Sequence, residues 1–340
     1  MSYGSFLSTY YFTMIKPEYQ YEILNINTSS GFAPEYSVTF RITDTCDLKC
    51  SYCHWHSGPQ YEYDDIIVSI DRLFEFFQKQ KFKSVLFYYH GGEPTRHKRV
   101  LDILKYIKQK SNETGIAAYN EMQTNLTLGA ALLEEILPYC DMLDITLHYH
   151  ELKTRGKGFK LEDFNRNYQY LIANNIRIHN MDIMLEDIPI DWLSEFYRAV
   201  EEYLAYDNIE NSEMIYGYYR YDSNTETAKK HLEFYQKANR SEQSYLIDGT
   251  VYHTNELFIA GVDCTGWKCE VGKQSLYVNG TGDAFVCGEH TTQYAMGYGA
   301  PYTNLLTDNA WLAKLVILTH TGTVCRWTTC GGDYYTPRKK

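Results

Sequence analysis

The sequence predicts an α/β protein built on a partial (β/α)6 barrel, with a small cysteine-rich appendage at its C-terminal end. Three observations carry this. From Tyr36 to about Asp222, β-branched and aromatic runs alternate six times with stretches of helical apolar spacing. Such alternation builds a parallel sheet with right-handed crossovers, and six units fall short of the eight that close a full barrel. After about Gly249 the pattern stops, and glycine, threonine and cysteine take over.

The elements follow in order. Ser37–Ile42 predicts a first strand that runs straight into a cysteine cluster. Ile66, Ile67, Ile70, Leu73, Phe74 and Phe77 recur at helical spacing. Ser84–Tyr89 predicts a second strand, and Val100, Leu101, Leu104 and Ile107 a second helix. A third strand ends near Gln123 and Thr124, followed by a short helix over Ala130–Leu137 that Pro138 stops. Met142–Leu147 and Phe159–Ala173 form the fourth pair, Ile176–Leu185 and Ile190–Leu204 the fifth, and Met214–Tyr219 with Thr225–Ala238 the sixth. One helix, Trp311–Leu318, is expected in the tail. The expected boundaries are residues 1–35 for an N-terminal cap or hairpin, 36–248 for the barrel and 249–340 for the appendage.

Lysine and arginine total 32 against 43 aspartates and glutamates, a formal charge of −11 over 340 residues. That balance argues against a nucleic-acid partner, which needs a basic face. Tyr10–Ile15 is apolar but lacks the basic flank and small-residue cleavage site of a secretory signal. No run reaches the roughly 20 apolar residues that span a bilayer. The expectation is a soluble, cytoplasmic protein with no membrane partner. The 33 tyrosines are read as packing. In a reducing compartment the nine cysteines serve as ligands or catalysts rather than disulfides. Three lie at Cys46, Cys50 and Cys53, five between Cys264 and Cys330, and Cys140 stands alone.

Cys46-x3-Cys50-x2-Cys53 occupies the loop after the first strand. Three thiolates on one short loop can bind three irons of a cubane cluster and leave the fourth open. Alone, they equally allow a zinc site completed by His54 or His56. Two further features favour the cluster. Tyr52 puts an aromatic ring beside Cys53, and the second strand ends in Gly91-Gly92-Glu93-Pro94, where glycines bring backbone close to a ligand and Glu93 offers a carboxylate for an ammonium group.

With these residues the chain resembles the radical S-adenosylmethionine superfamily, over about Tyr36 to Asp222. The resemblance implies that Cys46, Cys50 and Cys53 hold a [4Fe–4S] cluster whose open iron chelates S-adenosylmethionine. It implies that Gly91, Gly92, Glu93 and Pro94 bind the methionine amine, and that a 5′-deoxyadenosyl radical removes a substrate hydrogen. An electron donor such as flavodoxin or ferredoxin is implied as a partner. Thr124-Asn125 stands where the family often has Thr-Asn-Gly, with Leu126 in place of the glycine. Asn125, Thr146 and His148 are candidates for the cofactor's polar contacts, and Arg155 for its carboxylate.

The tail reads as a hairpin between Cys269 and Cys287, turning at Asn279–Gly282, with Cys325 and Cys330 delivered after the last helix. This resembles the SPASM and twitch appendages of the same superfamily and implies an auxiliary [4Fe–4S] cluster on Cys269, Cys287, Cys325 and Cys330; zinc is the alternative. Cys264 is then a fifth cysteine, either a ligand or the hydrogen donor of an epimerase, and it is the candidate catalytic thiol. The resemblance implies cross-linking or epimerisation of a ribosomally made peptide. The alternatives are a dehydrogenase or epimerase of a small carbohydrate-like molecule, or a non-catalytic iron–sulfur or zinc protein.

Overall fold

A computed structural model describes residues 21–25, 34–50, 53, 58–154, 160–184, 188–215, 244–247, 250–253, 268–269, 272–287, 300–321, 323–324 and 337–338. The chain divides into two compact units. The smaller one comprises Met1–Asn27, Glu242–Val271 and Gly322–Lys340. It carries an antiparallel sheet in which β1 (Tyr21–Asn25) pairs with β8 (Ser244–Ile247), which pairs with β9 (Thr250–His253). A second small sheet places β10 (Lys268–Cys269) between β14 (Thr323–Val324) and β15 (Pro337–Arg338). The described strand of the first 35 residues therefore finds its partner more than 200 residues away, not within an N-terminal hairpin.

The larger unit, Thr28–Ser241 with Gly272–Thr321, is built on a nine-stranded sheet. Six strands run parallel and adjacent in chain order: β2 (Tyr36–Arg41), β3 (Ser84–Tyr89), β4 (Ala117–Thr124), β5 (Met142–Leu147), β6 (Ile178–Met184) and β7 (Ile209–Ile215). Helices connect them: α1 (Tyr63–Gln80), α2 (Val100–Thr114), α3 (Ala130–Ile136), α4 (Tyr149–Thr154) with α5 (Lys160–Ala173), and α6 (Leu193–Leu204). This is the expected mostly parallel α/β architecture. The helix expected over 225–238 lies outside the described residues.

Two further differences from expectation concern β7 and the tail hairpin. Strand β7 starts at Ile209 rather than Met214, because the polar run Glu210-Asn-Ser-Glu213 lies within the strand as it pairs with β6, Asn180 opposite Asn211 and Ile183 opposite Met214. The tail hairpin forms as read, β11 (Ser275–Asn279) returning as β12 (Asp283–Phe285) with Tyr277 opposite Phe285. Its other edge is unexpected: β11 runs parallel to β2, Leu276 opposite Val38. With β13 (Thr303–Asn304) it extends the sheet, so residues 272–321 group with the barrel strands and not with the segment that begins at 249. The physical reason is the edge of β2. The first strand of an open barrel leaves unpaired N–H and C=O groups on one side, and a further strand covers them.

One face of the sheet packs on the helices. Val38, Phe40, Val85, Phe87, Met122, Leu143 and Ile145 are buried against Ile66, Ile70, Leu73, Phe74 and Phe77 of α1 and Ile103, Leu104 and Ile107 of α2. The spacing picks out these positions apart from Ile103, and of the positions it picks Ile67 and Leu101 are only partly buried. Successive side chains of a strand face opposite ways. Arg41, Glu121, Asp144 and Asp182 are buried charged groups of the sheet strands outside this apolar cluster. Helix α7 (Trp311–Thr321) belongs to the same unit and buries Trp311, Leu315 and Leu318. Among the described residues no helix is long and apolar enough to cross a membrane.

Candidate functional site

The cysteine loop leaves β2, and the glycine segment leaves β3, at the C-terminal ends of adjacent parallel strands. The ladder between them continues past the strands. Gly92 N–H donates to Thr43 O at 3.0 Å and Glu93 N–H to Thr45 O at 2.8 Å. The contact leaves no room for a Cβ. At Gly91 (φ 130°) one would sit 2.7 Å from Arg41 Cγ and Thr43 O, and at Gly92 one would run into the Thr45 carbonyl. The two glycines thus let the second strand's exit lie directly on the backbone that leads to Cys46.

Glu93 is 2% exposed and its carboxylate is turned inward. Oε1 accepts from Thr95 N (3.1 Å), Thr95 Oγ1 (2.7 Å) and Thr124 Oγ1 (2.9 Å), while Oε2 accepts from Asn125 N (2.7 Å). A carboxylate has about four acceptor positions, and four protein donors are in place. Glu93 caps the short 3-10 turn Pro94–Arg96 and ties it to the end of β4. This differs from the sequence expectation, which gave the carboxylate itself to an ammonium group. Burial raises its pKa, and the hydrogen bonds of Thr95 and Asn125 oppose the rise.

Asp47, inside the cysteine loop, is a second tie that the sequence reading missed. It accepts from Asn125 Nδ2 (2.9 Å) and Thr127 Oγ1 (2.7 Å), pairs with Arg96 and lies 3.2 Å from Lys160 Nζ. Burial alone would raise its pKa, but the hydrogen bonds from Thr127, Asn125 and Arg96 prevail and hold it at about 2. Its neighbour Cys46 is partly buried, its Sγ accepting from Leu48 N at 3.4 Å and lying 4.0 Å from Asn125 Nδ2. Burial pushes that thiol up to about 12, with Glu93, Asp47 and Cys53 adding negative field. Cys50 is buried with Sγ 3.6 Å from His148 Nδ1, and Cys53 N–H donates to Cys50 O at 3.1 Å. Burial lowers His148 to about 4, so the ring is neutral at physiological pH.

The structure therefore brings together Cys46, Cys50, Cys53, Gly91, Gly92, Glu93, Pro94, Asn125 and His148. Thr146 sits deeper on β5 and accepts from Gln123 Nε2 at 3.2 Å. Leu126, at the position where the family that the sequence resembles often has a glycine, holds the left-handed backbone conformation (φ 56°) with its side chain fully buried. Asn167 Nδ2 donates to its carbonyl at 2.9 Å. Tyr52, Arg155, Cys264, Cys325 and Cys330 lie outside the described residues, as does the side chain of Cys269. Cys287 is partly buried just after β12. Cys140 lies away from the loop, its Sγ donating to Met142 O.

The family model described as "Radical SAM superfamily" matches residues 40–199. A tungsten-containing aldehyde ferredoxin oxidoreductase cofactor-modifying protein of Pyrococcus furiosus is 28% identical over 117 residues, 33% of this chain and 29% of that protein, so the chain matches less than a third of that relative's length. Among solved structures, native anSMEcpe with bound AdoMet and Cp18Cys peptide superposes with a TM-score of 0.55 at 13% identity, covering 83% of this chain and 80% of that one. Streptococcus suis SuiB bound to S-adenosylmethionine gives 0.54 at 13% identity, covering 82% and 66%. SuiB bound to precursor peptide SuiA gives 0.52, covering 82% and 65%.

Proposed function

The chain carries a radical SAM domain over residues 40–199, and on that premise we propose that it is a peptide-modifying enzyme that cross-links its substrate or inverts a stereocentre in it. One observation carries the site assignment: the cysteine loop and the glycine segment are hydrogen-bonded to each other at neighbouring strand ends, through Gly92 N–H to Thr43 O and Glu93 N–H to Thr45 O. The residues fit the cofactors of the family. Cys46, Cys50 and Cys53 put three sulfur donors on one short loop, enough for a [4Fe–4S] cluster with one open iron. The cradle at Gly91 and Gly92, where a Cβ would collide, suits the close approach of S-adenosylmethionine to backbone. When bound, cluster and S-adenosylmethionine together supply a 5′-deoxyadenosyl radical that takes a hydrogen atom from substrate.

The chain's own residues then have distinct tasks. Glu93 and Asp47 fix the glycine segment and the cysteine loop to the end of β4. His148, neutral and beside Cys50, offers a ring nitrogen to the sulfur and shields it from water. Asn125 spans Asp47 and Cys46, and Tyr52 and Arg155 remain candidates for the nucleoside and the carboxylate. Cys269, Cys287, Cys325 and Cys330 are assigned to an auxiliary [4Fe–4S] cluster, with Cys264 as ligand or hydrogen donor and a flavodoxin- or ferredoxin-type protein as electron source. The peptide reading draws support from two similar structures, anSMEcpe with bound Cp18Cys peptide and SuiB bound to precursor peptide SuiA.

The test is anaerobic reconstitution. About eight irons per chain, as two four-iron clusters, are expected, with about half lost when Cys46, Cys50 and Cys53 are changed together to alanine. Reduced protein with S-adenosylmethionine should form 5′-deoxyadenosine, and a precursor peptide encoded beside the gene should change mass or chirality. Four irons with stoichiometric zinc would remove the auxiliary cluster. Turnover of a carbohydrate-like molecule, with the peptide untouched, would remove the peptide reading.

A further inference from the structure

Below the site just described, the sheet holds a second cluster of ligating groups. Glu121 lies on β4, Asp144 on β5 and His179 at the start of β6, and their ligand atoms are all within 4.8 Å of one another. Glu121 is three residues before Thr124, which at about 3.3 Å per residue places it about 10 Å down the strand from the end that meets Glu93. On β4, Asn120 faces the helices, its Nδ2 donating to Leu104 O of α2, so Glu121 faces the opposite side, into the barrel.

Two carboxylates held out of water next to each other are costly unless a cation compensates both. Glu121 is 2% exposed and Asp144 7%. The cation at hand is the imidazolium of His179, whose Nδ1–H can serve one acceptor. It is hydrogen-bonded to Glu121 Oε1, and Asp144 Oδ1 lies 3.4 Å away. Asp144 Oδ1 is sealed from solvent and receives no hydrogen bond among the described residues. With the proton on His179 the three groups carry a net charge of −1, and one buried oxygen is left over.

We propose that Glu121, Asp144 and His179 form a binding site for one divalent cation of the Mn²⁺ or Fe²⁺ type. Replacing the single proton by such an ion makes the cluster neutral. It also gives Asp144 Oδ1, which has the 3.4 Å ion pair with His179 but no hydrogen bond, a direct bond to the ion, and engages all three side chains at once. Two carboxylate oxygens and one imidazole nitrogen are hard-to-borderline donors, suited to Mn²⁺, Fe²⁺ or Zn²⁺ and not to thiolate-seeking Cu⁺. Three protein ligands leave positions for water or for a donor atom of a substrate lying in the barrel. The site is separate from the cysteine loop, and its existence does not depend on the proposed function.

The experiment uses the full-length, anaerobically reconstituted protein, treated with a chelator too weak to strip the clusters, and titrated with Mn²⁺ while free Mn²⁺ is followed by electron paramagnetic resonance. Cysteine thiolate is a poor ligand for Mn²⁺, so the cysteine sites do not compete. One Mn²⁺ per chain is expected, with Asp144→Asn and His179→Gln each weakening it at least about tenfold and Asp102→Asn, an exposed residue on α2, leaving it unchanged. Asp144→Asn removes the buried like-charge contact and should keep the wild-type iron content and melting temperature, which separates a lost ligand from a lost fold. Absence of stoichiometric Mn²⁺ binding, or equal binding by wild type and both variants, would overturn the site.

Discussion

Changing Glu93 to glutamine separates two roles that the sequence alone does not distinguish. In the structure Oε1 takes three hydrogen bonds and Oε2 one, from Asn125 N–H. The amide of Gln fits the same space and keeps its oxygen on Thr95 and Thr124. Its NH2 group then faces the Asn125 N–H, donor against donor, with no water to intervene. A buried donor deprived of its acceptor costs about 1–3 kcal/mol. For a unit of this size each kcal/mol moves the melting point by about 2–4 °C, so a fall of about 2–12 °C is expected. Differential scanning fluorimetry of wild type and Glu93→Gln, both cluster-free and under argon, reads this directly. S-adenosylmethionine affinity of the reconstituted variant should drop as well, because the glycine segment loses its tie to β4. An unchanged melting point with affinity reduced tenfold to a hundredfold would refute the internal clamp. It would restore the direct ammonium contact, whose charge-assisted hydrogen bond is worth about 1.5–3 kcal/mol.

Other outcomes follow from the same contacts. Asp47→Asn should loosen the cysteine loop, lowering iron retained after desalting while the circular dichroism spectrum stays as in wild type. Because the folded pKa of Asp47 is depressed to about 2, its contribution to stability is complete above the unfolded value near 3.8 and is lost as pH falls through 2. The destabilisation by Asp47→Asn should therefore be seen in urea melts at pH 6 and vanish toward pH 2. Leu126→Gly relieves a left-handed leucine, about 1–2 kcal/mol, but empties a buried site, about 2–5 kcal/mol for a leucine. The midpoints of these ranges leave a net destabilisation of about 2 kcal/mol by urea unfolding, and a stabilised variant would show that the strain outweighs the packing. His148→Phe removes the ring nitrogen beside Cys50 and should shift the cluster's reduction potential with iron content unchanged, as read by redox titration.

The fold was legible where it depends on local periodicity. Strand β3 was read at its observed limits, and the apolar spacing of Ile66 to Phe77 found the buried face of α1, because a helix on a sheet must bury every third or fourth residue. What was not legible depends on partners far away in sequence. Strand β7 contains Glu210, Asn211, Ser212 and Glu213, whose composition hides a strand that pairing with β6 imposes. The parallel contact of β11 with β2 joins residues about 240 apart, and nothing near Leu276 announces it. The site shows the same division. Cys46, Cys50, Cys53 and Gly91 to Pro94 are local motifs and could be quoted from the sequence, whereas Glu93's four donors come from Thr95, Thr124 and Asn125. Asp47 had a signal, a carboxylate inside the cysteine loop, but its meaning required Thr127, Arg96 and Lys160. Glu121 and Gln123 had one too: polar residues at alternate positions in a strand mark a wet or functional face.

These missed residues share a logic that the motifs lack. A cysteine loop alone is a flexible peptide, and its sulfurs must be held before an iron–sulfur cluster is. Glu93 is a buried carboxylate and Asp47 a half-buried one, and both reach the end of β4, one through Thr124 Oγ1 and the Asn125 N–H and the other through the Asn125 and Thr127 side chains. Three successive strand ends, β2, β3 and β4, are thereby cross-tied by charge-assisted hydrogen bonds in a region of low dielectric, where such bonds are strong and an unpaired carboxylate is costly. Leu126 locks the third strand end from behind, its carbonyl held by Asn167 and its side chain in the core. If the ties act as one unit, Asp47→Asn and Glu93→Gln should be non-additive. The double variant should lose less stability than the sum of the singles, by an interaction energy of about 0.5–3 kcal/mol. Strict additivity in a double-mutant cycle would mean that loop and glycine segment are held independently, and that Asn125 does not couple them.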